Sequence, residues 1–188
     1  MRVRSDSELL QASSVEDGAF DEFVVRHHPN LHRYVSRRLG VEDAEEVVNE
    51  TFAIAFQRRE RFRAEQGGAA PWLFGIATNL LHRHWRREAR ALSAYARSGV
   101  DPVAPETGDR GPVDAVLAGA LAAMRPRHRT VLFLHAVAEL SHEEIAKALD
   151  VPIGTVKGWL HRARVVAQRE FARAESTDPG LTTKVVEP

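Results

Sequence analysis

Apolar residues recur along this chain at spacings of three and four, and no segment shows the strict alternation of a β-strand. The first long stripe joins Phe20, Phe23, Val24, His27, Leu31, Tyr34, Val35 and Leu39. This spacing predicts an amphipathic helix with that face buried. Pro29 should kink or divide the helix, and Gly40 should end it. Before it, Asp6 should cap a shorter helix that carries Leu9 and Leu10.

Two further helices are predicted in the first half of the chain. Within residues 42–62 the apolar side consists of Val47, Val48, Thr51, Phe52, Ile54, Ala55 and Phe56. A glycine-containing loop, residues 63–70, precedes a helix that begins at Pro71, with an inward stripe of Trp72, Leu73, Ile76, Ala77, Leu80 and Leu81. Beyond Asn79 this helix becomes basic. Trp85 lies among its arginines, where either core packing or stacking on a nucleic acid base is possible.

The strongest local pattern lies in residues 140–164. Ser141 and Glu144 form a capping box, so a helix should begin near His142. Pro152 breaks that helix and is tolerated at the start of the next one. The second helix turns Val156, Leu160 and Ala163 inward and leaves Thr155, Lys157, His161, Arg162 and Arg164 largely outside. This pattern predicts a helix-turn-helix, whose second helix would enter a DNA major groove; a plain solvated helix pair is the alternative.

The order of these segments predicts two domains. Residues 93–112 are rich in Gly, Pro, Ala and Asp and lack a helical period, which indicates a flexible linker. The helical period returns at residue 113, and residues 175–188 form a polar tail that we expect to be disordered. We therefore predict an all-α protein with two small helical domains, residues 1–92 and residues 113–174, joined by that linker.

The charge changes sign along the chain although the totals cancel. There are 26 basic and 26 acidic residues among 188. Residues 79–90 and 156–173 are basic, whereas residues 42–50 are acidic. Local patches decide binding partners, so the basic ones favour nucleic acid. The acidic patch fits either stabilisation of a helix through its dipole or docking on a basic protein surface.

The composition excludes several kinds of site. There is no cysteine, so disulfides and thiolate metal sites are excluded. No apolar run is long enough to span a bilayer, and the N-terminus lacks the apolar core of a signal peptide, which makes the cytosol the expected location. His27, His28 and His32 include a pair with metal-ligand spacing, but no HExxH motif or repeated carboxylate supports a metalloenzyme. We therefore assign no metal, no cofactor and no catalytic residue.

Three motifs stand in order along the chain, namely DAEEVVNETFAIAF, PWLFGIATNLLHRHWRR and LSHEEIAKALDVPIGTVKGWLHRAR. They resemble the region-two helix, the helix after it and the region-four helix-turn-helix of the extracytoplasmic-function (ECF) sigma factors of bacterial RNA polymerase, in the sigma-70 family. The third motif is shared with other bacterial regulators, but the three together across a linker are specific. The resemblance covers about residues 20–171 and implies a region-two bundle followed by a region-four helix-turn-helix.

The resemblance implies a role for three groups of residues. The group expected to bind the clamp helices of the polymerase β′ subunit is Glu46, Val47, Asn49, Glu50, Phe52 and Phe56. The group expected at the −10 promoter element, together with a loop that captures a flipped base, is Arg63, Asn79, His82, Arg83, Trp85 and Arg86. The group expected in the −35 major groove is Thr155, Lys157, Gly158, His161, Arg162 and Arg164.

The resemblance also implies partners and a mode of action. It implies an alternative sigma factor that binds core RNA polymerase through the β′ clamp and the β flap, recognises promoter DNA and promotes initiation without catalysis. An anti-sigma factor is the implied inhibitor, and the implied location is cytoplasmic and nucleoid-associated, with no membrane insertion. A helix-turn-helix regulator that acts without the polymerase is the alternative, because it explains the third motif equally well but leaves the acidic helix unexplained.

Overall fold

The computed structural model describes residues 3–63, 68–98 and 112–177. Within them the chain folds into α-helices joined by short turns, and these ranges contain no strand. The helices are α1 (Asp6–Ala12), α2 (Ala19–Leu39), α3 (Val41–Arg58), α4 (Ala69–Ser98), α5 (Pro112–Ala123), α6 (Pro126–Ala136), α7 (His142–Leu149) and α8 (Ile153–Thr177), with a 3-10 turn (Arg59–Arg61) after α3. The all-α prediction with two helical domains is confirmed.

Helices α2, α3 and α4 pack together as the N-terminal bundle, and α1 lies against α2. Phe23, Leu31 and Leu73 are fully buried in its core. Burial of one such side chain contributes about 1.5–3 kcal/mol, so the apolar stripes of the sequence dictate which helix faces meet. Tyr34 is also fully buried, and its hydroxyl lies 2.8 Å from the Thr78 hydroxyl, which satisfies both polar groups.

The start of α1 differs from the sequence prediction. Ser5, not Asp6, is the N-cap, because its hydroxyl accepts from the Glu8 backbone N–H while the Glu8 carboxylate accepts from the Ser5 backbone N–H. Asp6 is the first helical residue. Its carboxylate instead pairs with Arg26 at 2.7 Å and His27 at 2.8 Å, and so fastens α1 to α2.

The predicted breaks in α2 behave differently from one another. Pro29 does not divide the helix, which continues from Ala19 to Leu39. Buried residues on both sides of the proline, Phe23 and Leu31, hold the two halves in one packed element at the expense of one backbone hydrogen bond. Gly40 ends α2 as predicted, and its φ of 93° explains why glycine stands there.

The boundaries of the predicted linker and tail are displaced. Helix α4 continues to Ser98, so residues 93–98, which were predicted to belong to the linker, are helical. No glycine or proline interrupts the sequence ALSAYARS, and local helix formers therefore extend the helix through these residues. Residues 99–111, most of the predicted linker, and residues 178–188 of the predicted tail lie outside the described residues. The division of the chain into these segments otherwise stays a prediction.

Helices α5 to α8 form the C-terminal domain with the predicted helix-turn-helix at its centre. The capping box of Ser141 and Glu144 is present at the start of α7. Asp150 ends α7 with a φ of 52°, a left-handed conformation that aspartate tolerates better than most residues and that turns the chain sharply toward α8. Val156 and Leu160 are buried, which confirms the inward stripe of α8.

The two domains pack against each other through α4 and α7, a contact that the sequence does not predict. Gly75 of α4 faces the backbone of α7 so closely that an added Cβ would lie 2.7 Å from the Ala148 carbonyl oxygen. At another point of the interface, Arg33 of α2 donates to the Val137 carbonyl at 3.1 Å and pairs with Glu139 at 3.2 Å. The buried residues of both domains consequently form one continuous apolar core. Among the described helices, none is long and apolar enough to cross a membrane.

Candidate nucleic-acid and polymerase interfaces

The N-terminal half of α8 presents a basic outer face. Lys157, His161, Arg162 and Arg164 are exposed there, whereas Thr155 and Gly158 are partly buried. The opposite face is anchored by Val156 and Leu160, so the orientation of the outer side chains is fixed by the core beneath them. An exposed helix with this charge has the dimensions and chemistry to lie in a DNA major groove.

Gly158 lowers the helix propensity of α8 without a packing reason. A Cβ added at that position would meet only the Arg162 guanidinium, at 4.0 Å. The surface is therefore open at this point of the predicted −35 face, and a side chain is sterically allowed. A glycine here leaves room for a close approach of another molecule to the backbone of the helix.

The predicted −10 residues of α4 separate into two groups. Asn79, Arg83 and Arg86 are exposed. His82 and Trp85 are half-buried because α6 of the C-terminal domain lies over them: His82 Nε2 is 3.4 Å from the Thr130 hydroxyl. Burial, followed by the charges of neighbouring arginines, lowers the pKa of His82, which keeps its imidazole neutral at pH 7.

Arg38 is the polar centre of this interdomain contact. Its guanidinium donates to the Tyr34 hydroxyl at 2.8 Å and to the Thr130 hydroxyl at 3.1 Å. It also lies 4.5 Å from the centroid of the Trp85 ring and 5.4 Å from that of Phe133. Burial lowers the pKa of Arg38, and the aromatic faces and hydroxyls compensate the buried charge. Trp85 is thus occupied by protein in this conformation.

Arg63 and the loop after it are only partly described. Arg63 is exposed, and its guanidinium donates to the Glu60 carbonyl at 2.8 Å and to the Phe62 carbonyl at 3.1 Å. The neighbouring Phe62 ring packs on Trp72 with a centroid distance of 5.2 Å, which supports the expectation that this tryptophan packs within the protein. Residues 64–67, the middle of the loop predicted to capture a flipped base, lie outside the described residues.

Helix α3 carries the residues predicted to bind the polymerase. Glu46, Asn49 and Glu50 are exposed, and Phe56 is 42% exposed. Val47 and Phe52 are buried in the core, so they position the acidic face without belonging to its surface. Two contacts hold the Phe56 ring in place. Its centroid lies 5.0 Å from that of the Phe20 ring and 3.9 Å from the Cζ atom of the Arg59 guanidinium. The result is an acidic surface with one oriented aromatic ring.

The histidines singled out in the sequence have protein partners. His27 pairs with Asp6, and the rings of His28 and His32 are stacked with their centroids 5.8 Å apart. His32 Nε2 also lies 3.4 Å from a Glu45 carboxylate oxygen. In the described part of the chain, no group of three or more His, Asp or Glu side chains is arranged to hold a metal ion.

Several residues at these surfaces escaped the sequence analysis. Thr78 is buried, and its hydroxyl lies 2.8 Å from that of Tyr34, so a small hydroxyl side chain fits at this point of α4. Arg38 gave no local signal, because its partners are remote in sequence. The alternating arginines 125, 127 and 129 were a readable signal, a basic run at the start of α6, next to α8 in the fold.

Comparison with known proteins gives two family matches along the chain. Residues 23–91 match the family model of sigma-70 region 2, and residues 115–165 match that of sigma-70 region 4. The ECF RNA polymerase sigma factor SigW of Bacillus subtilis (strain 168) is 27% identical over 91% of this chain and 98% of its own length.

Two solved structures have a similar fold. CnrH in complex with the cytosolic domain of CnrY aligns with a TM-score of 0.66 and 26% identity, over 90% of this chain and 99% of that one. The sigma factor RpoE in complex with the anti-sigma factor NepR, from Bartonella quintana, aligns with a TM-score of 0.64 over 82% of this chain and 98% of that one. At 22% identity, the second likeness concerns the fold alone.

Proposed function

The chain belongs to the ECF sigma factors of the sigma-70 family, and from that premise we propose that it binds core RNA polymerase and directs it to promoters with −10 and −35 elements. The observation that carries the proposal is the combination of two basic helix faces, on α4 and α8, with an acidic and aromatic face on α3. A DNA-binding regulator needs only the basic faces. The third surface, acidic and with an exposed aromatic ring, suits a protein partner.

The −35 element is assigned to the exposed face of α8. Lys157, His161 and Arg162 are exposed on the N-terminal half of that helix, the part that meets base edges in a helix-turn-helix. Arginine and lysine can donate two hydrogen bonds to guanine or hold a phosphate. Thr155 and Gly158, which are partly buried, shape the surface between them.

The −10 element is assigned to α4, and its use requires the domains to separate. Asn79, Arg83 and Arg86 are accessible in the closed arrangement, whereas His82 and Trp85 are covered by α6. Arg38 lies over the Trp85 ring from within the same domain, so separation of the domains would uncover Trp85 by removing α6, whose Arg129 guanidinium lies 5.8 Å from the ring centroid. The closed arrangement is therefore a state that binds promoter DNA incompletely.

Core polymerase is assigned to the acidic face of α3. Glu46, Asn49 and Glu50 supply charge and hydrogen-bonding groups, and Phe56 supplies an aromatic contact of the type enriched at protein interfaces. Clamp helices of the β′ subunit are the proposed partner, and the β flap is the second contact expected of the family. Val47 and Phe52 act from the core, since substituting them would displace the whole helix.

An anti-sigma factor is the proposed inhibitor. The similar RpoE was solved with the anti-sigma factor NepR, and the similar CnrH with the cytosolic domain of CnrY. The chain's family consists of regulatory subunits, so no reaction is proposed for it. A protein that stabilises the contact between α4 and the C-terminal domain would keep His82 and Trp85 from DNA.

Run-off transcription with purified core polymerase on a promoter library tests the proposal. We expect new transcripts from sites that share two elements. Arg162→Ala should lower their yield by about 5- to 150-fold, because a specific base contact contributes about 1–3 kcal/mol, whereas the exposed Gln168→Ala on the same helix should not. Glu50→Lys should weaken core binding, with Asp17→Lys as the matched charge control.

The alternative function predicts the opposite result. If the chain alone binds a DNA sequence specifically while core polymerase neither binds it nor gains transcripts, the chain is a helix-turn-helix regulator. Loss of activity by Arg162→Ala would not distinguish the two functions, because both use α8. The response to Glu50→Lys does, since only a polymerase subunit needs the α3 face.

A further inference from the structure

A cavity of about 360 Å³, the interdomain cavity, lies where the two domains meet. Asn79 and His82 of α4 line it from the N-terminal domain, and Arg127, Asp150 and Trp159 line it from the C-terminal domain. Ligand sites are typically clefts of about 300–1,000 Å³ with apolar and aromatic walls and a few polar groups, and they are common at domain interfaces. The interdomain cavity has this size, position and kind of lining.

Trp159 supplies the aromatic surface of the interdomain cavity. Its side chain belongs to α8 and is half-buried against the core. The Cζ atom of the Arg127 guanidinium lies 5.8 Å from the centroid of its ring. Aromatic rings and guanidinium planes are the surfaces on which proteins stack the bases of nucleotides. These two side chains therefore favour a ligand with a planar ring.

Two polar side chains of the cavity can recognise the edge of such a ring. Asp150 and Asn79 come from different domains, and neither side chain forms a hydrogen bond or an ion pair within the described part of the chain. A carboxylate only accepts hydrogen bonds. Guanine offers it two adjacent donors, N1–H and the exocyclic amino group, whereas adenine offers no such pair. Asp150 thus favours guanine among the common bases.

A basic groove adjoins the cavity at Arg127, which lines both. Arg125, His128 and Arg162 also line the groove, and no carboxylate among the described residues does. His128 is only 5% exposed, and its Nε2 atom makes no hydrogen bond within these residues, so a protonated Nε2 could donate to a phosphate oxygen. Trp159 and Arg162 are three residues apart on α8 and therefore lie on the same side of the helix. A ligand whose ring contacts Trp159 would extend its anionic groups into the groove.

We infer that the interdomain cavity and the basic groove together bind a guanine nucleotide, and that this ligand holds the two domains in the closed arrangement. The base stacks beside Trp159 with its edge toward Asp150, and the phosphates lie among the arginines of the groove. Other classes of ligand fit less well. A cation would be repelled by Arg127, and an apolar compound would leave Asn79 and Asp150 without partners. A sugar phosphate lacks the planar base edge that Asp150 can recognise.

The position of the cavity couples nucleotide binding to domain closure. Because its walls come from both domains, the ligand makes all of its contacts only in the closed arrangement. A ligand that binds one state alone, present at one hundred times its Kd, shifts the equilibrium toward that state by about 100-fold. The consequence of this shift rests on the proposed function, since the closed arrangement covers His82 and Trp85. The binding of the nucleotide itself does not depend on that function.

Calorimetric titration of the complete chain with GTP, ATP, guanosine and inorganic triphosphate tests the assignment. We expect GTP to bind once per chain and more tightly than the other three compounds. Asp150 has a φ of 52°, which asparagine also tolerates, so Asp150→Asn should keep the fold and weaken GTP by about 5- to 150-fold. Trp159→Leu should weaken GTP by a similar factor, because a stacking contact is lost. Glu143→Gln removes another exposed carboxylate of this domain and should change nothing.

Two further measurements test the closing of the domains. Fluorescence energy transfer between labels on Ser14→Cys and Gln168→Cys, one in each domain, should rise when GTP is added to the chain alone. GTP added before core polymerase should slow the association of the chain with the polymerase, whereas GTP added afterwards should leave the dissociation rate unchanged. Asp150→Asn should abolish both responses to GTP. Equal thermal midpoints of the wild type and the variants would show that the fold is intact.

Several results would overturn the assignment. If inorganic triphosphate binds as tightly as GTP, or if Asp150→Asn and Trp159→Leu bind GTP as the wild type does, the base makes no contact in the cavity. Tighter binding of glucose 6-phosphate than of GTP would identify a sugar phosphate site instead. Unchanged energy transfer with GTP bound would refute the effect on the domains. If core polymerase does not bind the chain even without GTP, the proposed function fails, while the affinities for GTP still decide the nucleotide site.

Discussion

Substitution of Gly75 tests whether the contact between α4 and α7 holds the two domains in the closed arrangement. A Cβ at this position would lie 2.7 Å from the Ala148 carbonyl oxygen, whereas ordinary contacts begin at 3.4 Å. In Gly75→Ala, α4 and α7 must therefore separate by roughly 0.7 Å, and the obstacle is backbone that cannot rotate away. The strain falls between domains, so it is relieved when the domains part.

The expected size of the effect follows from two opposing contributions. Overpacking of a tight contact costs about 1–3 kcal/mol. Alanine is favoured over glycine inside a helix by about 1 kcal/mol, but it is favoured in the open and closed arrangements alike. The propensity gain thus cancels from the opening equilibrium, which should shift toward the open state by about 5- to 150-fold.

Because the natural chain has no cysteine, a pair of labels can be attached without background. Cysteines at the exposed positions Ser14 and Gln168, one in each domain, would report the distance by fluorescence energy transfer. Gly75→Ala should lower the transfer efficiency, while Gly119→Ala, where an added Cβ meets nothing within 4 Å, should not. Unchanged transfer in Gly75→Ala would refute the contact between α4 and α7 in solution.

Three smaller perturbations probe other parts of the structure. Ser141→Ala removes the capping box of α7 and should lower the free energy of unfolding by about 1 kcal/mol in denaturant titration. The hydrogen bond from His27 lowers the pKa of Asp6 in the folded protein. The Asp6 carboxylate therefore stabilises the fold at pH values above the pKa of Asp6 in the unfolded chain, and this stabilisation is lost as the pH falls through the lower pKa of the folded state. Asp6→Asn should therefore be less stable than wild type at pH 7, and the difference should shrink in acid unfolding below pH 3.8. The pKa of His82 is lowered chiefly by burial, so protonation opposes the closed state: energy transfer should fall as pH drops below 6.5, and this response should be lost in His82→Asn.

Local signals in the sequence determined the helices and their buried faces. The capping box at Ser141 and the stripe of Val156 and Leu160 depend on residues three or four positions apart, and such spacings hold whatever the rest of the chain does. The three sequence motifs also placed the basic faces on α4 and α8 and the acidic face on α3. The outward orientation of Lys157 and Glu50 needed no tertiary information.

Burial of particular side chains required the packing of remote elements. Phe52 belongs to a predicted binding motif but lies in the core, and Trp85 is half-buried because α6 covers it. The cap of α1 was misassigned for the same reason: Asp6 is a good capping residue, but tertiary partners on α2 hold its carboxylate, and Ser5 caps instead. Capping propensity alone allows either Ser5 or Asp6 as the N-cap, and the packing of α1 on α2 determines which of them caps the helix.

The contact between the domains was decided by the tertiary structure alone. Arg38 and Thr130 are 92 positions apart in the sequence. Gly75 faces the backbone at Ala148, a contact that the identity of these two residues does not predict. Such contacts depend on the fit of two finished surfaces, and each surface exists only after its own domain has folded. The sequence therefore determined which helices carry the residues proposed to bind DNA and polymerase, while the tertiary structure decided which of those residues are covered.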